Sequence, residues 1–390
     1  MEVREEIGAV FDNGRDLTVG LEEEFQILDA DTLSLTNRYR ELKEHADEVF
    51  GGPLVYGELI QSEAEINSVA GKNFAESRED LRSKRAALTR AAADLGLALG
   101  STGVHPFSHW RDQRFIDSDH YRRVIDELKY VAWTNNTFGL HVHAGIRGAD
   151  RAVAVHDAYR SYVPELLALS ASSPFYHGDE TQLHSTRSQV FVEAFPRCGD
   201  PDPYGDWATY ADYADFLFAT NSITESTMIW WTLRLHHLFG TLEVRAMDAQ
   251  PVFEDSMAMA GLSLGLVAAL LDRYDRGESL PVHPRRFIEE NRWRARSHGL
   301  DGKLIDLESR TEISAVEALK RRVGQVEPLA EELGLEAELA RVEHILTEGN
   351  SAQQQLARFR NGEDIFTIFS DTVRLSMTSH QPAPAAAPEG

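Results

Sequence analysis

The chain has 390 residues, 42% hydrophobic and 26% charged, which is enough for one large or two ordinary folded units and too apolar for global disorder. A formal net charge of −24, with six lysines against 33 arginines, argues against nucleic acid or an anionic membrane surface as a general partner. The single cysteine, Cys198, rules out an intrachain disulfide.

The start, MEVREEIGAV, lacks the basic opening and apolar run of a secretory signal. Residues 17–28 (LTVGLEEEFQIL) read as a strand, and residues 54–69 hold a second extended segment around Ile60 to Val69. A helix comes next: Phe74, Leu81, Leu88 and Leu95 are seven apart, Asn73 can cap its start and Gly96 can end it. Residues 97–104 and 138–146 read as strands. Asp150 opens a helix that Pro164 breaks or kinks. Residues 207–219 and 222–238 read as helices, 241–248 as a strand, 254–275 as a helix, and 310–347 as charged, Leu-rich helix. The apolar stretch 257–271 is shorter than the roughly 20 residues of a membrane span, so a buried core helix in a cytoplasmic protein is expected. The tail QPAPAAAPEG (381–390) reads as disordered, which leaves residues 1–380 as one domain. Strands scattered among helices without βαβ alternation point to an α+β fold with a mostly antiparallel sheet.

The functional signal lies in how the strands are decorated. Side chains at i and i+2 share a strand face. Glu22 and Glu24 therefore lie together, as do Glu63 and Glu65, His141 and His143, and Glu243 and Arg245. A solvated outer face is the ordinary explanation of any one such pair. Four pairs, nearly free of lysine, fit it poorly, because converging carboxylates repel unless cations lie between them. Oxygen ligands with one imidazole suit Mg²⁺ or Mn²⁺ better than Zn²⁺.

Other motifs carry less. The H-x-H of His141 and His143 lacks the further ligands of a zinc hydrolase or a cupin. Gly261-Leu-Ser263-Leu-Gly265 matches G-x-S-x-G inside an apolar helix, not at a strand-to-helix elbow. There is no Walker A sequence and no G-x-G-x-x-G.

The segments VGLEEEFQILD, ELIQSEAEINS, FGLHVHAGI, STRSQVF, FPRCGDP, WWTLRLHHLFGTLEVRAMDAQP, ENRWRARSHGLDG and EGNSAQQQL, in that order, resemble the glutamate–cysteine ligase type 2 group. This group, also called carboxylate–amine ligases, lies within the glutamine-synthetase-like superfamily. The resemblance implies an antiparallel curved sheet forming a funnel-shaped active site, flanked by helices. It implies metal ligands at Glu22, Glu24, Glu58, Glu65, His141 and Glu243. It implies Arg187 and Arg245 as catalytic and substrate-binding arginines and Arg234 as a substrate contact, with Glu63 and His143 as neighbours of the ligands. Cys198 stands where a typical member has serine, with no functional consequence expected.

The implied reaction uses ATP and Mg²⁺ (or Mn²⁺) to turn the γ-carboxylate of L-glutamate into an acyl phosphate. The amine of L-cysteine then displaces phosphate, giving γ-glutamylcysteine and ADP. Arginine suits the bidentate carboxylate or phosphate contacts this needs. A ligase with another amine, a metal-dependent hydrolase and an inactive glutamate- or nucleotide-binding homologue are the rival readings. Small-molecule partners are expected, and the chain could form a homo-oligomer.

Overall fold

The computed structural model describes residues 2–381, with side chains from Glu6 onward. All but Gln381 of the expected tail lies outside the described residues. Among the described residues ten strands occur in chain order: β1 (Val19–Asp29), β2 (Glu63–Asn67), β3 (Leu97–Gly100), β4 (Gly139–Gly145), β5 (Phe175–Tyr176), β6 (Asp179–Glu180), β7 (Leu233–His236), β8 (Thr241–Asp248), β9 (Lys303–Asp306) and β10 (Thr311–Ser314). Six of them form one sheet in the order β2-β1-β4-β8-β7, with β3 pairing β1 as well, and every pairing in it is antiparallel. β5–β6 and β9–β10 are separate hairpins. Helices flank the sheet, as the α+β expectation required.

β1 organises the sheet. It runs for 11 residues, pairing β2 through 22–26, β4 through 19–23 and β3 through 26–29. Its alternation sends Val19, Leu21, Phe25 and Ile27 into the largest apolar cluster, which extends from Ile7 to Ile345. Glu23 faces the same way. It is 2% exposed, and its carboxylate accepts from Nη1 of the fully buried Arg85 at 2.9 Å and from Ser256 Oγ at 2.6 Å. Arg85 Nη2 donates in turn to the Pro251 carbonyl at 2.8 Å, so this ion pair ties β1 to the chain leaving β8. The middle glutamate of GLEEEF thus serves the core, and its two neighbours serve the opposite face.

The helix Phe74–Asp94 follows its sequence signals. Asn73 accepts from Glu76 N–H at its start, and Gly96, with φ +66°, lies just past its end. Pro164 falls in the first turn of helix Val163–Ser170, where its missing N–H costs nothing, after helix Ala149–Tyr159 and a 3₁₀ turn. The helix Phe253–Asp275 is long and apolar enough to cross a membrane, but 89% of its most apolar stretch is buried against the rest of the chain. The G-x-S-x-G match lies inside it and is a packing feature. A Cβ on Gly261 would sit 2.7 Å from Glu338 Cβ, and one on Gly265 would run into the Val326 side chain.

Four boundaries differ from expectation. The segment 222–238 is not a helix: it holds a 3₁₀ turn (Ser226–Met228) and strand β7. Leu233 and Leu235 alternate with Arg234 and His236, and β7 pairs β8 through a tight connection that Gly240 makes at φ +63°. Pairing with β8 fixes this short segment as strand. The segment 54–69 is regular strand only over Glu63–Asn67, and 97–104 only over Leu97–Gly100. Residues 310–347 open with β10 and divide into helices Ala315–Leu333 and Glu336–Glu348 at Gly334, a left-handed cap.

Candidate active site

The face of the sheet opposite the core carries the decorated pairs, and the register sets them side by side. Glu24 pairs with Glu65, Glu22 with His141, His143 with Glu243, and Glu243 with Arg234. A bulge in β8 opposite His141 falls at Arg245 and Ala246 and re-aims the strand there. The face floors a cavity of about 450 Å³. Glu22, Glu24, Glu63, Glu65, His141, Arg187, Arg234 and Arg245 line it, and Glu58 enters from the loop before β2. Glu243 lies beneath, fully buried.

The site has two electrostatic halves. In the first, charges are paired. Glu22 accepts from His141 Nδ1 at 2.9 Å and from His143 Nε2 at 3.1 Å. Glu243 takes a forked bond from Arg234, Nε at 2.6 Å and Nη2 at 3.0 Å, and a further bond from Arg245. Burial would raise both carboxyls, but His143 and His141 hold Glu22 well below the usual range, and Arg234, Arg245 and His143 do so for Glu243. Burial would likewise lower the His143 imidazole, yet Glu243 and Glu22 raise it.

In the second half carboxylates face carboxylates. Burial, then Glu24 and Glu63, push Glu58 up to about 8. Glu63 rises well above the ordinary range through burial, Glu24 and Glu65, and Glu65 through burial, Glu58 and Glu22. Arg245 lowers Glu58 and Arg187 lowers Glu63, but neither offsets the rise, so this half is short of positive charge.

A divalent cation fits that deficit. Ligand atoms of three groups lie within 4.8 Å of one another: Glu24–Glu58–Glu65, Glu22–Glu65–His141 and Glu22–His143–Glu243. His141 Nε2 is buried without a hydrogen-bond partner and stands 3.7 Å from Glu24 Oε1, so a nitrogen lone pair is free for a ligand. The oxygen-rich donor set with single imidazoles is that of Mg²⁺ or Mn²⁺. The six ligands expected from sequence therefore all fall in these groups. Both oxygens of Glu243 are already engaged by arginines, so a cation in the third group would share it with Arg234 and Arg245.

Arg187 enters from the chain after β6. Its Nη atoms donate to the Arg245 carbonyl at 3.2 and 3.3 Å, and its Nε has no partner. Space for it comes from Gly139, where a Cβ would lie 2.9 Å from Arg187 Cζ and 3.1 Å from His141 Nε2. Its backbone is fixed by Asp248, which sequence reasoning missed. The Asp248 carboxylate accepts from Ser173 Oγ at 2.6 Å, Ser185 Oγ at 2.8 Å and Ser172 N–H at 3.1 Å. Ser173 Oγ then accepts from Arg187 N–H at 3.3 Å. These contacts join distant segments, and only a further acidic residue at the end of β8 hints at them.

The outer wall was also unforeseen. Tyr121, Val124, Phe191, Phe195, Met228 and Trp230 face the charged floor. Phe191 and Phe195 ring centroids lie 4.7 Å apart, and Phe195 and Trp230 meet edge to face at 5.4 Å. Cys198 packs in the apolar cluster behind this wall, and burial pushes its thiol up to about 12.

The sequence profile of glutamate–cysteine ligase family 2 matches residues 18–370. A provisionally named glutamate–cysteine ligase 2 of Solibacter usitatus is 36% identical over 354 residues, 90% of each chain. One from Rubrobacter xylanophilus is 35% identical over 360 residues, 92% of this chain and 91% of the other. Among solved structures, a glutamate–cysteine ligase of Francisella tularensis in complex with AMP superposes with a TM-score of 0.65 at 12% identity, covering 96% of this chain and 92% of that one. A bifunctional glutathione synthetase of Pasteurella multocida gives 0.68 at 13% identity, covering 96% of this chain but only 54% of that longer one.

Proposed function

The chain belongs to glutamate–cysteine ligase family 2, and from that premise we propose that it is an ATP-dependent ligase. It joins the γ-carboxylate of L-glutamate to the amino group of L-cysteine, giving γ-glutamylcysteine, ADP and phosphate. The observation that carries this reading is the union, in one cavity, of a carboxylate row short of positive charge with Arg187, Arg234 and Arg245.

The physical problem of the reaction is repulsion: an anionic carboxylate must approach the γ-phosphate of an anionic nucleotide. Mg²⁺ or Mn²⁺ held by Glu22, Glu24, Glu58, Glu65, His141 and Glu243 neutralises phosphate charge when bound. The chain's own residues do the rest. Arg187 and Arg245 present guanidinium groups to anionic oxygens of substrate and transition state. Glu243 and Arg234 hold Arg245 in place from below. The aromatic wall excludes water from an acyl phosphate that would otherwise hydrolyse. The incoming amine attacks the acyl carbon, the carbon–oxygen bond to phosphate breaks, and the amine proton leaves to solvent or a carboxylate.

The apolar character of the wall favours a second reading of the acceptor. Phe191, Phe195, Met228 and Trp230 line the cavity with apolar side chains, which suits an amine that carries an apolar group. ADP release measured with glutamate and a panel of amines, with the product weighed by mass spectrometry, decides between them. Glutamate-dependent ADP release with cysteine supports the first reading. Release only with amines that carry an apolar group selects the second, and no nucleotide dependence with any amine removes the ligase.

A further inference from the structure

FPRCGDP and ENRWRARSHGLDG, the segments around Cys198 and Trp293, meet outside the cavity. Arg292 joins them. It stands on the helix Arg285–His298 and is 9% exposed. Its Nε donates to Asp200 Oδ2 at 2.8 Å, and its Nη1 to Glu193 Oε1 at 3.1 Å. Arg296, one turn further on, donates from Nη1 to the same Glu193 oxygen at 2.9 Å. Asp200 is 1% exposed, and a carboxylate so buried is costly without a paired cation, so Arg292 and Asp200 are held together.

Each partner of Arg292 leads to one of the arginines in the cavity. Asp200 follows Gly199, whose carbonyl accepts from Thr232 N–H at 3.0 Å and from Thr232 Oγ1 at 2.9 Å. The Thr232 carbonyl accepts in turn from Arg245 N–H at 2.8 Å, where β8 bulges. Glu193 follows the π-helical turn Ser188–Val192, which Arg187 precedes. Such turns are rare and cluster at functional sites. The same helix also holds the other end of this segment, because the Arg296 carbonyl accepts from His184 N–H at 2.9 Å and from Ser185 N–H at 3.2 Å.

We infer that Arg292 positions Arg187 and Arg245 relative to each other. It touches neither, and acts through the backbone by fixing Asp200 and Glu193 on one guanidinium. Lysine in its place would keep the charge but could not serve both carboxylates in this forked geometry. The inference rests on the roles given to Arg187 and Arg245 above.

The test uses the full chain carrying Arg292→Lys and, as a milder break in the same path, Thr232→Val, which removes the hydroxyl bond and keeps the backbone one. Amide hydrogen exchange read by mass spectrometry should quicken over residues 184–193 and 241–248 in Arg292→Lys, over 241–248 alone in Thr232→Val, and over 19–29 in neither. In Arg292→Lys, kcat/KM for glutamate-dependent ADP release should fall about 10- to 100-fold, as for misplacement by about 1 Å. In Thr232→Val it should fall about 2- to 10-fold, the worth of one hydrogen bond. The double variant should lose less than the product of the two single losses, because both break one path. Exchange that quickens equally in every strand means a general loss of stability and overturns the proposal. Unchanged exchange over 241–248, unchanged turnover, or losses that simply multiply overturn it as well. Failure of the ligase reading is seen separately, as wild type that releases no ADP with any amine. The exchange pattern then decides by itself: quickening confined to the named segments upholds the positioning, and any other pattern refutes it.

Discussion

Replacing Gly139 by alanine is expected to cripple turnover while leaving the fold intact. Gly139 opens β4 with ordinary extended backbone, so alanine meets no backbone strain there. Its new Cβ would stand 2.9 Å from Arg187 Cζ and 3.1 Å from His141 Nε2. Ordinary contact begins near 3.4 Å, so the guanidinium must retreat by at least the difference, 3.4 − 2.9 = 0.5 Å, and further at Nη2. Arg187 cannot swing freely, because Asp248 and its serines pin the backbone and the Arg245 carbonyl holds the Nη atoms. Misplacement by about 1 Å costs on the order of a hundredfold in rate, so kcat/KM should fall about 10- to 100-fold. Coupled ADP release measures the loss, and a thermal melt run alongside should stay within about 2 °C of wild type. A variant with near-normal kcat/KM would refute the claim that this glycine makes room for a working arginine. A large fall in melting temperature would mean that the site and the fold cannot be separated at this position.

Other outcomes follow from the same geometry. Glu22→Gln and Glu65→Gln should each reduce ligation at least about a hundredfold, and EDTA should abolish a reaction that Mg²⁺ or Mn²⁺ restores; turnover surviving thorough chelation contradicts the cation reading. Glu58, pushed up to about 8, and Glu65, held well above the ordinary range, hold protons at neutral pH that a cation must displace, so Mg²⁺ affinity should rise as pH climbs from 6 to 8; calorimetry showing no pH dependence there removes both from the ligands. Cys198→Ser should keep activity within about twofold, because a buried thiol pushed up to about 12 is no nucleophile. Arg85→Met alone should cost about 3–5 kcal/mol by stranding Glu23, read by denaturant melts, and adding Glu23→Leu should recover most of it. An Arg85→Met protein as stable as wild type would show that the pair carries no such role.

The sequence revealed the site wherever chemistry followed strand alternation. The pairs at 22 and 24, 63 and 65, 141 and 143, and 243 and 245 could be assigned to faces from spacing alone, and their order in the chain carried the family resemblance. What spacing could not give was which strand lies beside which. Glu24 meeting Glu65, and Glu22 meeting His141, are facts of pairing across 40 and more residues. The strand at 233–236 was hidden because it is only four residues long within a longer run of aromatic and apolar residues, and its partner β8 decides the matter. Asp248 and Gly139 act through neighbours distant in sequence, Ser173 and Ser185 for one and Arg187 for the other. Part of the outer wall, Tyr121 and Val124, stands on the helix Asp119–Leu128, and the rest comes from a π-helical turn at Ser188–Val192 and from irregular chain near Trp230, conformations without a readable period.

The triplet Glu22-Glu23-Glu24 has a bearing on how this protein can fold and vary. Because the strand repeat is two, sliding β1 by one residue would turn Glu23 and Phe25 into the funnel and drive Glu22 and Glu24 against the apolar core. Only one charge could then find Arg85, and the other would lie stranded among Phe25's former neighbours. Mispaired intermediates are thus penalised on both faces at once, which gives the central strand a built-in error check. The same check closes β1 to insertion or loss of a single codon. Variation in length among relatives should therefore gather in the connections between strands and never within residues 19–29.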